Sequence, residues 1–319
     1  MTLDVSSGEI AHRSVRDLPE LLRGGDLIVA NNSRVFPARL VGRLPTGARV
    51  ELLLLQPRGS GTSGTWEALG KPGRKLRTGT TIDFPGLTAR IVGRGAFGRR
   101  TVELTSESEL FATLDRIGRT PLPPYIKRSG DSLEGSDRER YQTVYAREPG
   151  SIAAPTAGLH FSPELCERLL ARGVGWAEVT LHVGYGTFQP VRTETVEEHV
   201  LEAESYTIPE ATAEAIAATR AAGGRVIAVG TTTVRTLETA AVENRTVKPG
   251  SGSTSLFIHP GFRFRVVDAL LTNFHLPRSS LFILVSAFGG LDLVRRAYEE
   301  AVRERYRFYS YGDAMLIFS

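Results

Sequence analysis

From residue 162 onward, capped amphipathic stretches alternate with short apolar runs. Ser162-Pro163-Glu164 supplies a capping hydroxyl, an N1 proline and a first-turn acid, and predicts a helix to about Arg172, stopped at Gly173. WAEVTLHVG reads as a strand running into the turn GYGTF, and IPEATAEAIAATRAAGG as a second helix ended by glycine. RVIAVG is apolar on both faces, the mark of a buried parallel strand, and GTTTVRTLETAA opens a helix from its end. FRVVDALLTNF, LFILVSAFGG and LDLVRRAYEEAVRERY complete a strand-and-helix alternation. Near the start, Asp17 can cap a short helix carrying Pro19, Leu18, Leu21 and Leu22, with Gly24-Gly25 to end it. A buried strand from Leu27 to Ala30 then enters the polar turn Asn31, Asn32, Ser33 and Arg34. Both chain ends therefore predict one α/β domain with a largely parallel or mixed sheet.

Between these parts the period changes. ARVELLLLQP, TWEALG, TTIDFPG, LTARIVGRG and RRTVELT are β-like runs punctuated by glycine. They predict a small antiparallel sheet or barrel. The expected organisation is an α/β main domain with an inserted small antiparallel β-barrel domain: main domain 1–42 plus 141–319, insert 43–140. Residues 60–65 read as a flexible loop and 130–140 as a polar, mobile one. PLPPYIKR (121–128) reads as an extended return path.

The segment 141–161, YQTVYAREPGSIAAPTAGLHF, resists regular structure. Pro149, Gly150, Pro155 and Gly158 deny it a long helix, and it carries Thr143, Ser151, Thr156 and His160. Polar side chains on rigid, irregular backbone are a common way to present a site. The same texture recurs at 181–190, 230–236 and 270–282, so these four stretches should converge.

Composition is that of an ordinary soluble globular protein, 41% hydrophobic and 23% charged. No apolar run reaches membrane-spanning length and no basic-then-apolar leader is visible, so no membrane partner is expected and the expected location is cytoplasmic. One cysteine, Cys166, excludes an internal disulfide and a cysteine zinc cage. Charge is uneven. Residues 41–130 hold 15 Lys and Arg against 7 Asp and Glu, a net of +8 in a chain of net +4. Lys71, Arg74, Lys75 and Arg77 form the densest group, with Leu76 as an anchor among them. A phosphate-rich partner fits this segment, and so does a merely solvated basic surface.

The candidate chemistry sits in the irregular stretches. VGTTTVRT joins a strand to a helix N-terminus with Thr231, Thr232, Thr233 and Arg235, an arrangement that suits an anion. No Walker lysine follows, which excludes a nucleotide P-loop. His160, His182, His199 and His275 lie in or near these stretches, and any of them could be a proton carrier or a structural group. No metal-ligand spacing links them, so no metal is expected. No G-x-S-x-G occurs, which counts against a serine hydrolase. Asn273-Phe274-His275 follows a strand and precedes Pro277, and Ser279 and Ser280 can cap the next segment.

Taken together, NNSRVFPARL, PLPPYIKR, YQTVYA, APTAGLHF, TLHVGYGTF, VGTTTVRTLE, LLTNFHLPRSSLFILVSAF and YRFYSYGDAMLI resemble the S-adenosylmethionine:tRNA ribosyltransferase-isomerase family of queuosine biosynthesis. The resemblance runs from about residue 4 to the end. It implies transfer and isomerisation of the ribosyl part of S-adenosylmethionine onto an aminomethyl-deazaguanine base in the tRNA anticodon loop. Epoxyqueuosine forms, and adenine and methionine leave. S-adenosylmethionine is then a substrate and no cofactor is implied; tRNA is the partner, and the protein is expected to be a monomer. His160, His182, His275 and Arg235 are the implied catalytic group. Asn31, Asn32, Arg34, Tyr141, Gln142, Thr143, Thr156, Gly158, Thr187, Thr231, Thr232, Thr233 and Asn273 are the implied substrate-binding residues. Lys71, Arg74, Lys75 and Arg77 would hold tRNA phosphates. Asn32 and Glu202 stand where the resemblance leads one to expect an aspartate and a histidine. Two alternatives therefore stay open on sequence: a divergent paralogue using S-adenosylmethionine on another acceptor, and a non-catalytic tRNA-binding module.

Overall fold

The computed structural model describes residues 1–57, 63–123, 125–126, 134–188, 191 and 193–319. The expected loop at 60–65, the PLPPYIKR return path and the first part of 130–140 lie partly or wholly outside these residues.

The chain divides into two compact units: 1–33 with 143–148 and 154–319, and 34–142 with 149–153. The first holds a nine-stranded mixed sheet. Its order is Gly250–Thr254, Glu204–Ile208, Gly175–Leu181, Leu27–Asn31, Val226–Val229, Ala269–Asn273, Ala314–Phe318, Thr2–Asp4, Ile10–Ala11. The four strands from Gly175–Leu181 to Ala269–Asn273 are mutually parallel. Ala314–Phe318 runs antiparallel beside them.

The central strands are apolar on both sides because both faces are covered. Leu27, Val29, Val226, Ala228 and Leu270 pack into one core, with helices Glu210–Ala221, Thr231–Thr239, Ser280–Gly289 and Leu291–Arg303 over them. Ile28, Ala30, Ile227, Val229 and Leu271 pack into the opposite core against Leu165, Leu169 and Phe161. The period-2 alternation within each strand thus feeds two cores. LFILVSAFGG, apolar throughout, is a helix, started by Ser279, whose hydroxyl accepts from the Phe282 N–H at 3.1 Å.

The helix starts are only partly as read. Ser162 caps Pro163–Ala171, with its hydroxyl accepting from Leu165 N–H. Asp17 does not cap Leu18–Leu21. Its carboxylate instead accepts from Ser14 N–H at 2.9 Å, closing a capping box on the turn Val15–Asp17.

The second unit contains a closed antiparallel barrel, ordered Arg99–Ser106, Ser63–Lys71, Arg49–Pro57, Arg39–Arg43, Thr81–Phe84, Leu87–Arg94. The unit starts at Arg34 and not at 43, because Arg39–Arg43 is itself a barrel strand, paired with Arg49–Pro57. The described part of the expected mobile loop is the helix Glu134–Arg140.

One carboxylate ties the first unit's central layers together. Glu238, buried near the end of Thr231–Thr239, accepts from three successive backbone N–H groups: Arg265 at 2.8 Å, and Val266 and Val267 at 3.0 Å each. This fixes the approach to strand Ala269–Asn273. Glu238→Ala leaves two buried donors and one part-buried donor unmatched and should cost about 2–4 kcal/mol in urea unfolding. Glu238→Gln, which keeps an acceptor, should cost less.

Candidate active site at the strand ends

Where parallel strands stop, ladder groups need other partners, and side chains supply them. Asn31 ends Leu27–Asn31 and is fully buried. Its amide nitrogen donates to the Leu181 carbonyl at 2.9 Å and the Thr232 hydroxyl at 3.3 Å. Its oxygen accepts from the N–H groups of Leu181 at 3.0 Å and Ser33 at 3.1 Å. One side chain thus joins two strands and a helix start.

Asn32 turns the other way. It donates to Glu178 Oε2 at 3.0 Å and accepts from the Thr180 hydroxyl at 2.7 Å. Glu178 also accepts from Trp176 Nε1 at 3.1 Å and pairs with the Arg147 guanidinium. A carboxylate is therefore present at this corner as Glu178, and an amide at 32 supplies the donor it requires. An aspartate at 32 would set two anions together.

Gly230, at φ +87°, precedes the helix Thr231–Thr239, which has no side-chain cap. The Thr233 hydroxyl donates to the Val229 carbonyl at 2.7 Å, and the Thr232 hydroxyl accepts from Asn31. These hydroxyls face the protein, so the anion capacity of this terminus resides in its first backbone N–H groups. Arg235 does not add to it. The guanidinium is buried, pairs with Glu204 and donates to the Leu256 and Thr254 carbonyls. The carboxylate contact expected for Arg235 is filled from within the fold.

From the segment 141–161, Thr156 and His160 lie beside the end of Ala269–Asn273. Thr156 donates to Asn273 Oδ1 at 3.2 Å, and Asn273 Nδ2 lies 3.3 Å from His160 Nε2. Gly158 is required by packing: a Cβ there would fall 2.0 Å from the Tyr145 hydroxyl and 2.7 Å from Thr143 Cγ2. The Tyr145 and Thr143 hydroxyls are buried with no hydrogen-bond partner among the described residues. Burial pushes the Tyr145 hydroxyl far above its ordinary pKa, with Cys166 and Glu178 adding to the shift, so it stays protonated.

All three expected histidines are neutral near pH 7. Burial lowers His275 to about 4, and its Nε2 lies 2.8 Å from the Thr272 hydroxyl. Burial also lowers His160, partly offset by Asp313, and lowers His182, partly offset by Glu148. His182 Nδ1 is buried without a hydrogen-bond partner among the described residues. His160 also lines a cavity of about 780 Å³ with Met1, Ser162, Arg305, Arg307 and Asp313, a volume suited to a small ligand.

Other expected residues fall elsewhere. Arg34, Tyr141 and Gln142 belong to the second unit. There, Gln142 exchanges two hydrogen bonds with the Val35 backbone, at 2.7 and 3.0 Å, and Tyr141 is fully buried. Thr187 lies in the turn Tyr185–Phe188, with its side chain outside the described residues. Lys71, Arg74, Lys75 and Arg77 are exposed on the barrel unit, while Leu76 is fully buried among them. Arg100, also in the basic segment, is buried, and it donates to the Leu76, Gly73, Gly98 and Arg99 carbonyls. It braces the basic turn from inside. Among the described residues no cluster could hold a metal ion and no helix is long and apolar enough to cross a membrane.

Sequence reading missed Glu178, Arg147, Glu204 and the Tyr309 carbonyl, which accepts from Asn273 at 3.2 Å. For Glu178 the signal was an acid inside a largely apolar strand.

A model of the family described as "Queuosine biosynthesis protein" matches residues 1–317. The chain belongs to that family. A protein of Anaeromyxobacter sp. (strain Fw109-5), named S-adenosylmethionine:tRNA ribosyltransferase-isomerase, is 55% identical over 97% of this chain and 89% of its own length. A protein of Symbiobacterium thermophilum with the same name is 53% identical, over 99% and 92%. The crystal structure of S-adenosylmethionine tRNA ribosyltransferase from Thermotoga maritima matches with a TM-score of 0.54 and 40% identity, covering 100% of this chain and 91% of that one.

The depressed His275 carries a pH consequence. Unfolded, the ring titrates near its ordinary 6.5; folded, near 4. Between these values the unfolded chain binds more protons, so stability rises with pH across that window and is lost as pH falls through it. Urea midpoints at pH 5 and pH 7 should differ less in His275→Gln than in the parent.

Proposed function

We infer that this protein is an S-adenosylmethionine:tRNA ribosyltransferase-isomerase. It transfers and isomerises the ribosyl moiety of S-adenosylmethionine onto the aminomethyl-deazaguanine base of a tRNA anticodon loop, giving epoxyqueuosine, adenine and methionine. The observation that carries this reading is the near-full-length match to relatives of that name at 50–55% identity. S-adenosylmethionine is taken as a substrate, with no further cofactor. The protein acts in the cytoplasm, where its tRNA is, and as a monomer.

The reaction needs a base. A sulfonium acidifies the adjacent 5′ C–H, and that proton must go to a neutral acceptor in a site that excludes water. Three neutral, largely buried histidines suit this requirement. His182 is the favoured acceptor, because its Nδ1 has no partner within the described residues; His160 and His275 each have Nε2 engaged. The N-terminus of Thr231–Thr239, which has no side-chain cap, suits the methionine carboxylate. Lys71, Arg74, Lys75 and Arg77, whose side chains stand exposed on the barrel unit, suit tRNA phosphates.

The test uses tRNA carrying the aminomethyl-deazaguanine base with S-adenosylmethionine, followed by nuclease digestion and mass spectrometry. The epoxy-nucleoside and free adenine should appear in equal amounts; adenine without the nucleoside would point to another acceptor. Replacing all four barrel cations by alanine should weaken tRNA binding. It should also flatten the salt dependence of binding by about 0.7–0.9 log units for each phosphate no longer neutralised. S-adenosylmethionine binding should be unchanged.

A further inference from the structure

Asn273 is 2% exposed and every polar atom of its amide is engaged. Its Nδ2 faces the Tyr309 carbonyl at 3.2 Å, and a carbonyl can only accept. Turning the amide over would set two oxygens against each other, so the nitrogen is fixed on that side. Oδ1 then takes the Thr156 hydroxyl proton at 3.2 Å. The Tyr309 carbonyl is itself held: the Tyr309 N–H donates to the Phe274 carbonyl at 2.9 Å, and Tyr309 sits at φ +74°. Phe274, next to Asn273, is fully buried among Tyr298, Tyr306 and Phe308.

One Nδ2 proton is left, and it faces His160 Nε2 at 3.3 Å. A donor there requires a lone pair on Nε2. The neutral ring must then carry its proton on Nδ1.

We propose that Asn273 is a positioning residue that fixes His160 in the Nδ1–H tautomer, so that His160 meets the substrate as a hydrogen-bond donor and not as a proton acceptor. This rests on reading the strand ends as the site of ribosyl transfer. A protonated His160 would set its Nε2–H against the Asn273 Nδ2–H, so the amide also disfavours the imidazolium. The other charges near the ring are mixed: Asp313 favours its protonation, while Arg307 and the Met1 ammonium oppose it. Burial acts in the same direction as the amide.

The test is nitrogen-15 NMR of the full chain with labelled histidine, His160 being assigned by its loss in His160→Gln. At pH 7 its Nδ1 should be pyrrole-like and its Nε2 pyridine-like. In Asn273→Asp a carboxylate faces Nε2; the proton should move to Nε2 and the ring's titration midpoint should rise by roughly one to three units. A wild-type ring protonated on Nε2, or a ring unchanged by Asn273→Asp, overturns the proposal, and the first of these needs no variant to fold. For the donor role, turnover of modified tRNA should fall roughly tenfold or more in His160→Phe and less in His160→Gln, whose amide can still donate. Full turnover in His160→Phe overturns that role. Absence of the reaction in the unaltered protein instead sinks the functional reading, and the tautomer result stands apart from it.

Discussion

Two buried asparagines, Asn31 and Asn273, supply hydrogen-bond partners at the point where the parallel ladder ends. That constraint shapes the rest of the first unit. A strand end buried under helices cannot leave N–H and C=O groups unmatched without a cost of about 1–3 kcal/mol for each group. Asn31 meets it for the strands Leu27–Asn31 and Gly175–Leu181 and reaches the first turn of Thr231–Thr239. Asn273 satisfies the Tyr309 carbonyl and links the end of Ala269–Asn273 to the Thr156 hydroxyl and the His160 ring. An amide suits both places because it donates and accepts at once and carries no charge to desolvate.

The same economy of charge marks the chemistry. The histidines are kept neutral by burial. Two charge pairs lie by the strand ends, Arg235 with Glu204 and Arg147 with Glu178. The strand ends themselves present neutral donors and acceptors and one helix N-terminus, while Arg305, Arg307 and Asp313 line the cavity beside His160. That is a fitting environment for a sulfonium substrate, whose own positive charge activates the bond to be broken. Exposed cations stand on the barrel unit, where the basic turn is held from below by Leu76 and Arg100.

Much of this was legible in the chain. The two regimes of hydrophobic spacing separate the α/β part from the barrel, and the four irregular stretches point to the strand ends. Two kinds of information were not legible. The first is the use of a side chain whose partner lies far off in sequence. VGTTTVRT reads as an anion site with an arginine, yet Glu204, 31 residues away, takes that arginine. The second is capping chosen between neighbours. Asp17 has the right position to cap Leu18–Leu21, but the capping box with Ser14 claims its carboxylate first. The barrel boundary moved for a related reason: RLVGR is short and punctuated by glycine, and its pairing with Arg49–Pro57 on one side and Thr81–Phe84 on the other makes it a barrel strand.

The central claim is that side-chain amides, and Asn31 above all, hold the strand ends proposed as the site. Native-state hydrogen exchange at the Leu181 and Ser33 amides tests it most directly, comparing the parent with Asn31→Ala. The account predicts that both amides exchange about tenfold faster in the variant, relative to the Val29 amide in the same strand, and that S-adenosylmethionine binding weakens with them. Unchanged protection at Leu181 and Ser33 relative to Val29 would contradict it.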